Sequence, residues 1–441
     1  MTTIILGGGI AGLSLAHFLN DDSIILEKEQ ETGGLCRSFN LSGVYYDVGP
    51  HILFSKNQQI LNFHTSLIKT NKLRRMNKVF LKGKFIKYPL ENDLASLSEP
   101  DKEYCLKEFL DNPYENYDPK NMLQFFLKTF GEGITRLYLQ PYNEKIWKYD
   151  PAFMDLQMVE RIPKPPKEDI IKSAKGVETE GYTHQLYFHY PSEGGVKSLI
   201  KAYEKLAASK SQIVTGLKIT SITKDGGYWV VESDKGAFKA PRLVNCMPLE
   251  ELFKVLRLDQ DLEFASVKAT VEKLKYNSIH IAVCIFKKDN LGDNFAINVP
   301  DQDIIFHRVC KLNFLGENYV PKQGSALMME ITFRPESHLA YLSPEEIKSR
   351  IVDDLHKIGF IDKKDLVQMD LKTFKYAYVI YDLDHRKNAD KVLNYLKGKD
   401  ISCCGRFAEF EYMNTDKVAE NSQRLAEELN KDLISKLKQK N

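Results

Sequence analysis

The sequence predicts an α/β fold of several domains, built on a parallel β-sheet that begins near the N-terminus. A β-branched run, 4–6, ends in a glycine-rich turn and is followed by an apolar helical stretch, 13–19, and a second short strand, 24–26. Strand, turn, helix and strand in this order are typical of a βαβ unit. At 441 residues the chain is also long for one domain. A nearly unbroken apolar strand, 279–286, opens a second β-rich region that extends to about residue 380.

The glycines of the first turn predict dinucleotide binding. Gly7, Gly9 and Gly12 have the G-x-G-x-x-G spacing, and Glu27 follows Gly7 by twenty residues at the end of the second strand. The spacing alone would fit an ordinary glycine turn. Here it lies between a strand and a helix, and a carboxylate follows where it can accept hydrogen bonds from a ribose. The cofactor contacts predicted in this unit are Gly7, Gly9, Ala11, Gly12, Glu27 and Lys28.

A second set of glycines favours FAD over NAD as the dinucleotide. Gly33 and Gly34 follow the ribose carboxylate, and the segment 46–51 adds Gly49 and His51. A nicotinamide enzyme has no use for a glycine pair here, whereas a flavin lying extended along the domain does. The fold class is therefore α/β with an FAD-binding Rossmann-like domain of the glutathione-reductase type. The further predicted cofactor contacts are Gly34, Leu35, Ser38, Gly49 and His51.

The remaining chain divides into an inserted helical domain and a mixed or antiparallel β-sheet domain. Between 91 and 147 apolar residues recur at three- and four-residue steps, which predicts helices. The proline-containing stretch 163–181 has almost no periodicity and is predicted to be a loop, with a mobile lid as one reading of its role. The strands at 212–215 and 228–231 are expected to continue the sheet. The predicted domains are 1–75 with 190–260 and 396–441 for FAD, 91–189 for helices and lid, and 76–90 with 261–395 for substrate.

The composition limits the classes of binding partner and the cellular compartment that we expect. The net charge is only +2, from 62 basic and 60 acidic residues, so no global field attracts nucleic acid. Seven cysteines, an odd number without metal-ligand spacing, predict reduced thiols and no metal site. The first strand starts at residue 3 or 4, which leaves no room for a signal peptide, and no apolar run approaches the roughly 20 residues of a membrane span. The expected location is the cytoplasm.

Arg308 is a charged residue whose predicted position requires a partner anion. It alternates with Ile304, Phe306 and Cys310, which places it on the apolar side of its predicted strand. A buried guanidinium needs an anion. The anion is either a core carboxylate, or a phosphate or carboxylate of a ligand covered by this sheet; a third reading puts Arg308 at a sheet edge.

Six motifs spread over most of the chain resemble the UDP-galactopyranose mutase family. Gly49-Pro50-His51-Ile52 is similar to that family's loop beside the flavin ring, and 141–147 resembles its tyrosine–lysine–tryptophan motif. The segments 160–163 and 306–309 match the two motifs whose arginines hold the substrate diphosphate. The segments 376–380 and 405–412 are similar to those that bear two active-site tyrosines, and the second also resembles the flavin-ribityl signature. One departure is Asn414, where an acidic residue is common.

The resemblance implies a set of site residues. The implied catalytic residues are His51, Arg161, Arg308, Tyr378 and Tyr412. The implied substrate contacts are Tyr142, Trp147, Arg161, Asn298, Arg308, Tyr378 and Tyr412. At the C-terminal end the implied cofactor contacts are Gly405, Arg406, Tyr412 and Asn414.

The resemblance also implies a reaction without net redox change. FAD, active as FADH2 or FADH⁻, would attack the anomeric carbon of a nucleotide sugar through N5, and the pyranose and furanose forms of UDP-galactose or a related sugar would interconvert through that adduct. An external reductant such as NAD(P)H would be needed, and a homodimer is compatible with the family. Two alternatives stay open: an amine-oxidase or protoporphyrinogen-oxidase-like enzyme, and a non-enzymatic carrier of prenylated small GTPases.

Overall fold

The computed structural model describes residues 2–180 and 186–438, without the side chains of 160, 161 and 432–438. Within these ranges the chain forms nineteen strands. They are β1 (Thr3–Leu6), β2 (Ser23–Leu26), β3 (Ser38–Leu41), β4 (Val44–Asp47), β5 (Thr70–Arg74), β6 (Asn77–Leu81), β7 (Lys84–Lys87), β8 (Tyr187–Pro191), β9 (Ser211–Val214), β10 (Ile219–Asp225), β11 (Tyr228–Ser233), β12 (Gly236–Ala240), β13 (Arg242–Asn245), β14 (Tyr276–Phe286), β15 (Ala296–Asn298), β16 (Arg308–Lys311), β17 (Ser325–Phe333), β18 (Leu366–Val379) and β19 (Ile401–Cys403).

The same described ranges contain twelve α-helices. They are α1 (Ile10–Phe18), α2 (Gln58–Leu67), α3 (Glu99–Leu110), α4 (Met122–Ile134), α5 (Gln140–Trp147), α6 (Lys167–Ala174), α7 (Lys197–Ala207), α8 (Leu249–Val255), α9 (Phe264–Val271), α10 (Pro344–Lys357), α11 (His385–Gly398) and α12 (Thr415–Lys438). A π-helical segment, Thr135–Leu139, joins α4 to α5. Helix α1 begins three residues before the predicted start, because its first turn continues directly from the glycine turn.

A parallel sheet in the order β19-β13-β1-β2-β9 forms the core of the N-terminal unit. The three inner strands β13, β1 and β2 are mostly buried on both faces, which explains their apolar sequence. Ile5 packs with α1 and α7, whereas Ile4 and Leu6 contribute to the cluster on the opposite face. The predicted α/β fold class is confirmed.

The second large sheet has the order β18-β14-β17-β16-β15-β6-β7. Its pairs are antiparallel apart from β6 and β15, which run parallel, so the sheet is mixed. Strand β14 lies between β17 and β18 and is almost entirely buried. Through this pairing the hairpin β6–β7 lies beside the strands that carry Asn298 and Arg308.

Two predictions of local structure were wrong. The strand around 228–231 does not continue the parallel sheet. It lies in a separate sheet, β10-β11-β12, whose Trp229 and Val231 cover the face opposite α1. The stretch 163–181 is also not a plain loop, since it contains α6; its last residue, 181, is outside the described residues. Helix α6 forms because Ile170 and Ala174, four residues apart, bury one face against the helical domain.

Candidate cofactor and substrate site

The glycine turn after β1 brings bare backbone to the N-terminus of α1. A Cβ placed on Gly12 would overlap the Gly7 carbonyl oxygen, and one on Gly7 would lie 3.2 Å from the carbonyl carbon of Cys246. Gly7 also has a φ of +104°. Gly9 caps α1 without a side-chain hydrogen bond, so the first-turn N–H groups face the turn. Such a turn offers N–H groups and a favourable dipole to an anionic diphosphate.

Glu27 connects this turn to the second glycine pair. Its side chain is 8% exposed; Oε2 accepts a hydrogen bond from the Gly8 N–H at 2.7 Å, and Oε1 accepts one from the Glu29 N–H at 2.9 Å. Gly33 donates its N–H to the Gly8 carbonyl at 2.8 Å. The predicted glycine motifs and the predicted carboxylate therefore meet in one place.

The loop containing Gly49 and His51 is held by a buried carboxylate. Asp47 is 1% exposed and accepts hydrogen bonds from the hydroxyls of Ser38 and Tyr190, both at 2.6 Å, and from the Val196 N–H at 3.1 Å. Burial raises the pKa of Asp47 to about 6, although these hydrogen bonds lower it. Ser38, predicted as a cofactor contact, thus uses its hydroxyl on Asp47 and also accepts the N–H of Lys197.

The C-terminal signature is organised by Arg406. Its Nε and Nη2 donate to the Met413 carbonyl, and its Nη1 donates to the Ala377 carbonyl at 3.0 Å. The guanidinium carbon lies 4.8 Å from the centroid of the Tyr412 ring. Gly405, at a φ of +112°, allows the chain to pass α1, since a Cβ there would lie 2.8 Å from the Ala11 Cβ. Arg406 therefore fixes the end of β18 and the segment before α12 together.

Three aromatic rings from distant segments pack together beside Arg406. The rings of Tyr378 and Tyr412 are parallel, with centroids 5.6 Å apart and planes inclined by 4°. Trp147 meets both edge-on, at 5.6 Å and 5.9 Å. The indole N–H of Trp147 donates to Asn143 at 2.9 Å, which fixes the ring. The structure thus brings together three residues that the sequence places in different motifs.

Arg308 is paired with a carboxylate that the sequence analysis did not identify. Its Nε and Nη2 donate to the two oxygens of Glu330, both at 2.6 Å, and Glu330 is 0% exposed. Of the two anions considered for Arg308, the core carboxylate is therefore present. The Arg308 side chain is 26% exposed, and its Nη1 forms no hydrogen bond with any described residue. Burial alone would lower the pKa of Arg308, but the Glu330 charge raises it well above the usual value.

The Arg308–Glu330 pair lies in a row that crosses the mixed sheet. Asn298 is the cross-strand partner of Arg308, which in turn is the partner of Glu330. The Asn298 amide donates to the Tyr138 hydroxyl at 3.2 Å, and Tyr138 stacks on Tyr142 with centroids 5.4 Å apart. A Cβ on Gly49 would lie 3.3 Å from Glu330 Oε2. The row therefore runs from the loop that contains Gly49 to the helical domain.

The other predicted site residues are placed as follows. Lys28 is exposed, and Leu35 is partly buried against the core. The backbone carbonyl of Asn414 accepts a hydrogen bond from the Val418 N–H at 3.0 Å at the start of α12. The backbone of Arg161 ends a short helix, Leu156–Arg161, and its side chain lies outside the described residues.

A family model named flavin containing amine oxidoreductase matches residues 10–387 of the chain. The chain belongs to this family. Its cofactor is FAD, and the bare glycine turn, the uncapped start of α1 and the buried Glu27 fit the diphosphate and ribose of that molecule.

Solved structures of flavoproteins match this family member over nearly its whole length. A reduced UDP-galactopyranose mutase is 22% identical with a TM-score of 0.88, covering 97% of this chain and 93% of that one. A protein of Exiguobacterium sp. 255-15, provisionally named a protoporphyrinogen oxidase, is 15% identical with a TM-score of 0.75, covering 98% and 99%. Cyclohexylamine oxidase from Brevibacterium oxydans IH-35A is 15% identical with a TM-score of 0.66, covering 98% and 99%. These likenesses establish the shared fold.

A curated relative matches only a short part of the flavoprotein chain. It is an uncharacterized protein of the nifH2 3′ region of Methanothermococcus thermolithotrophicus, 41% identical over 56 residues. The match covers 12% of this chain and 54% of that protein, so it spans about half of the relative. Among the helices of the described ranges, none combines the length and the apolar character that crossing a bilayer requires.

The flavoprotein's His51 should stay uncharged across the physiological range. Its Nδ1 lies 3.0 Å from the Gly49 carbonyl, and burial, with the Arg406 charge as a second cause, lowers the pKa of His51 to about 4. The unfolded chain takes up this proton near pH 6.5. The folded state therefore loses stability relative to the unfolded state as pH falls from about 6.5 to 4. We expect His51→Gln to show a shallower loss of thermal stability over that window than the wild type.

The matched comparison for this pH series is the exposed His338, which lies in the short helix His338–Ala340. His338→Gln should reproduce the wild-type slope in differential scanning calorimetry at each pH. Equal slopes for wild type and His51→Gln would show that the His51 imidazole is charged in the folded protein.

Two buried carboxylates of the flavoprotein were missed by the sequence analysis. Glu330 is the single acid in the apolar strand Ser325–Phe333, and an isolated charge in a buried strand is a signal that could have been used. Glu91 is 1% exposed in the short helix Leu90–Asn92. Its sequence context, between Leu90 and Asn92, carries no such signal.

Proposed function

We propose that this protein is a flavin-dependent mutase that interconverts the pyranose and furanose forms of a nucleotide sugar, UDP-galactose or a related compound. The observation that carries the proposal is the partly exposed Arg308, held by Glu330 beside the Gly49 loop and within electrostatic reach of Tyr142 and Tyr378. An amine substrate is itself a cation and offers no anion for Arg308 to hold. The similarity in fold to UDP-galactopyranose mutase supports the same reading.

In this proposal Arg308 binds the diphosphate through Nη1, the nitrogen that Glu330 leaves free among the described residues. Glu330 holds the guanidinium plane in place, because a bidentate pair fixes orientation as well as distance. Charge on the diphosphate grows as the sugar bond breaks, so a fixed cation lowers the barrier. Arg161 is proposed as the second cation.

The tyrosines are proposed to complete the anion site. Tyr378 and Tyr412 would donate hydrogen bonds from their hydroxyls to the diphosphate, since burial raises the pKa of Tyr378 and keeps it protonated. Trp147 fixes both rings by edge contacts. The face of the Tyr142 ring that Tyr138 does not cover would receive the nucleoside. Bound reduced FAD supplies the nucleophilic nitrogen N5, and His51, uncharged, would orient the ring system.

The alternative is an amine-oxidase-like enzyme that oxidises its substrate, and membership of the family favours it. In that reading Tyr378 and Tyr412 would be the walls of a cage around an amine. Their parallel rings have centroids only 5.6 Å apart. A group between two ring faces needs about 7 Å, twice the van der Waals spacing of carbon atoms. The ring spacing therefore favours the mutase.

A single experiment separates the two functions. The FAD-loaded protein, reduced by dithionite under argon, is incubated with a panel of nucleotide sugars, and the products are separated by anion-exchange chromatography with mass detection. We expect an isomer of equal mass, formed only by the reduced protein. Hydrogen peroxide release during aerobic turnover of an amine or a porphyrinogen, without any isomer, would instead identify an oxidase.

The proposal extends to the surroundings of the enzyme. We propose a cytoplasmic enzyme that receives electrons from NAD(P)H and forms a homodimer. Rapid mixing of NADH or NADPH with the oxidised protein, followed at the flavin absorbance band, identifies the reductant. If neither nucleotide bleaches the flavin absorbance band stoichiometrically, the enzyme requires a different electron donor.

A further inference from the structure

Glu91 is a buried carboxylate with an unused oxygen close to the proposed nucleotide-sugar site. The residue is 1% exposed, and its Oε2 has no hydrogen-bond partner among the described residues. Its backbone carbonyl accepts a hydrogen bond from the Ser173 hydroxyl at 3.1 Å, so α6 holds the short helix Leu90–Asn92 in place. The side chain is therefore presented by a fixed piece of backbone.

Glu91 and Arg308 are connected through Tyr138 and Asn298. Glu91 lies within electrostatic reach of Tyr138, whose hydroxyl accepts the Asn298 amide at 3.2 Å. Asn298 is the cross-strand partner of Arg308. Tyr138 belongs to the π-helical segment Thr135–Leu139, a distortion that is frequent at functional sites. Tyr138 therefore lies near Glu91 and is connected through Asn298 to Arg308.

A carboxylate in this setting is costly unless something donates to it. No described Lys or Arg forms an ion pair with Glu91. Burial raises the pKa of Glu91 to about 7, so near neutral pH the charged form is readily available to a donor. A merely structural acid would leave the same oxygen without a partner in either protonation state, which native cores rarely tolerate.

We propose that Glu91 determines substrate specificity by accepting hydrogen bonds from N–H groups of the nucleotide sugar. The substrate then carries a nitrogen donor at the end remote from the diphosphate clamp or on the transferred sugar. A guanine edge, with its ring N–H and exocyclic amine, and an amino group on the sugar present the same chemistry. The inference rests on the proposed function, because it assumes that Arg308 holds the diphosphate.

The test measures the affinity of the FAD-loaded protein by isothermal titration calorimetry. Two ligand pairs distinguish the two sources of the donor: GDP with IDP, which differ by the exocyclic amine, and UDP-glucosamine with UDP-glucose, which differ by the sugar amine. We expect the donor-bearing member of one pair to bind at least about 10-fold more tightly, as for a hydrogen bond to a charged group.

Variants then assign the preference to Glu91. Glu91→Gln should reduce it to about 2-fold or less and leave the affinity for the other member nearly unchanged. Glu99→Gln, the same change at an exposed position at the start of α3, should behave as wild type. Flavin absorbance and thermal unfolding show whether Glu91→Gln is folded; should it not fold, the wild-type ratio for each pair remains the test.

The outcomes separate this inference from the proposed function. Equal affinities within both pairs, or an unchanged preference in Glu91→Gln, overturn the role of Glu91 alone. Absence of binding by all four ligands overturns the role of Glu91. If, in addition, the reduced protein forms no isomer from any nucleotide sugar of the panel, the nucleotide-sugar proposal falls as well.

Discussion

Replacing Gly12 by alanine should abolish FAD incorporation and unfold much of the parallel-sheet unit. A Cβ at this position would overlap the carbonyl oxygen of Gly7, and it would also lie 3.1 Å from a side-chain carbon of Ile5. Neither neighbour can move, because β1 is buried between two layers and α1 is buried from Ile10 to Ala16. Overpacking of a core costs about 1–3 kcal/mol, and here the displaced atoms are backbone.

The measurement is the ratio of flavin to protein absorbance in the purified variant, together with its thermal unfolding midpoint. Gly398→Ala provides the control, since a Cβ at the end of α11 meets no atom within 4 Å. It should keep the full flavin content and gain up to about 1 kcal/mol through the less flexible unfolded chain. A Gly12→Ala variant with the full flavin content and wild-type stability would refute the close packing of α1 on the turn.

The glycine turn could be predicted because all its determinants are local. Gly7, Gly12 and Glu27 lie within one βαβ unit, where spacing along the chain fixes spacing in space. The hairpin of β6 and β7, which turns at Lys82 and Gly83, is likewise specified by neighbouring residues. Structure that depends on neighbouring residues can therefore be predicted from the sequence.

Helix α6 could not be predicted because its stability comes from distant contacts. Its eight residues are too few to form a stable helix alone. Ser173 donates to the Glu91 carbonyl, and Ile170 packs into the core of the helical domain. The prolines before α6 suggested a loop, but Pro166 only marks where the helix begins.

The partner of Arg308 was hidden for a related reason. Alternation along the chain correctly indicated a side chain that needs an anion. The register between β16 and β17, which places Glu330 opposite Arg308, is a long-range property of the sheet. Two lone charges in two apolar strands would have suggested a pair, but not its bidentate geometry.

The second large effect is expected at the Arg308–Glu330 pair, where stability and turnover should respond differently to the same substitutions. Arg308→Met leaves Glu330, 0% exposed, without its cation, and Glu330→Met leaves the guanidinium without its anchor. Breaking a buried pair from one side costs about 3–5 kcal/mol. Each single variant should therefore unfold at clearly lower denaturant concentration than the wild type.

The double variant Arg308→Met with Glu330→Met should recover most of that loss, because no buried charge remains and the volumes are similar. Replacing buried ion pairs by apolar side chains is often neutral or stabilising. Denaturant unfolding of the four proteins gives the coupling energy of the pair. A double variant less stable than both singles would mean that the two side chains do not depend on each other for charge compensation.

Turnover should rank the variants differently, because Arg308 is the member of this pair that is proposed to touch the substrate. Arg308→Met and the double variant should both lose about 100- to 1,000-fold in kcat, the usual effect of removing one donor from a developing anion. Glu330→Gln keeps an acceptor for Arg308 and should lose much less. Recovered stability without recovered isomerisation in the double variant would assign Arg308 to the diphosphate, whereas wild-type turnover in Arg308→Met would leave the anion site without its central residue.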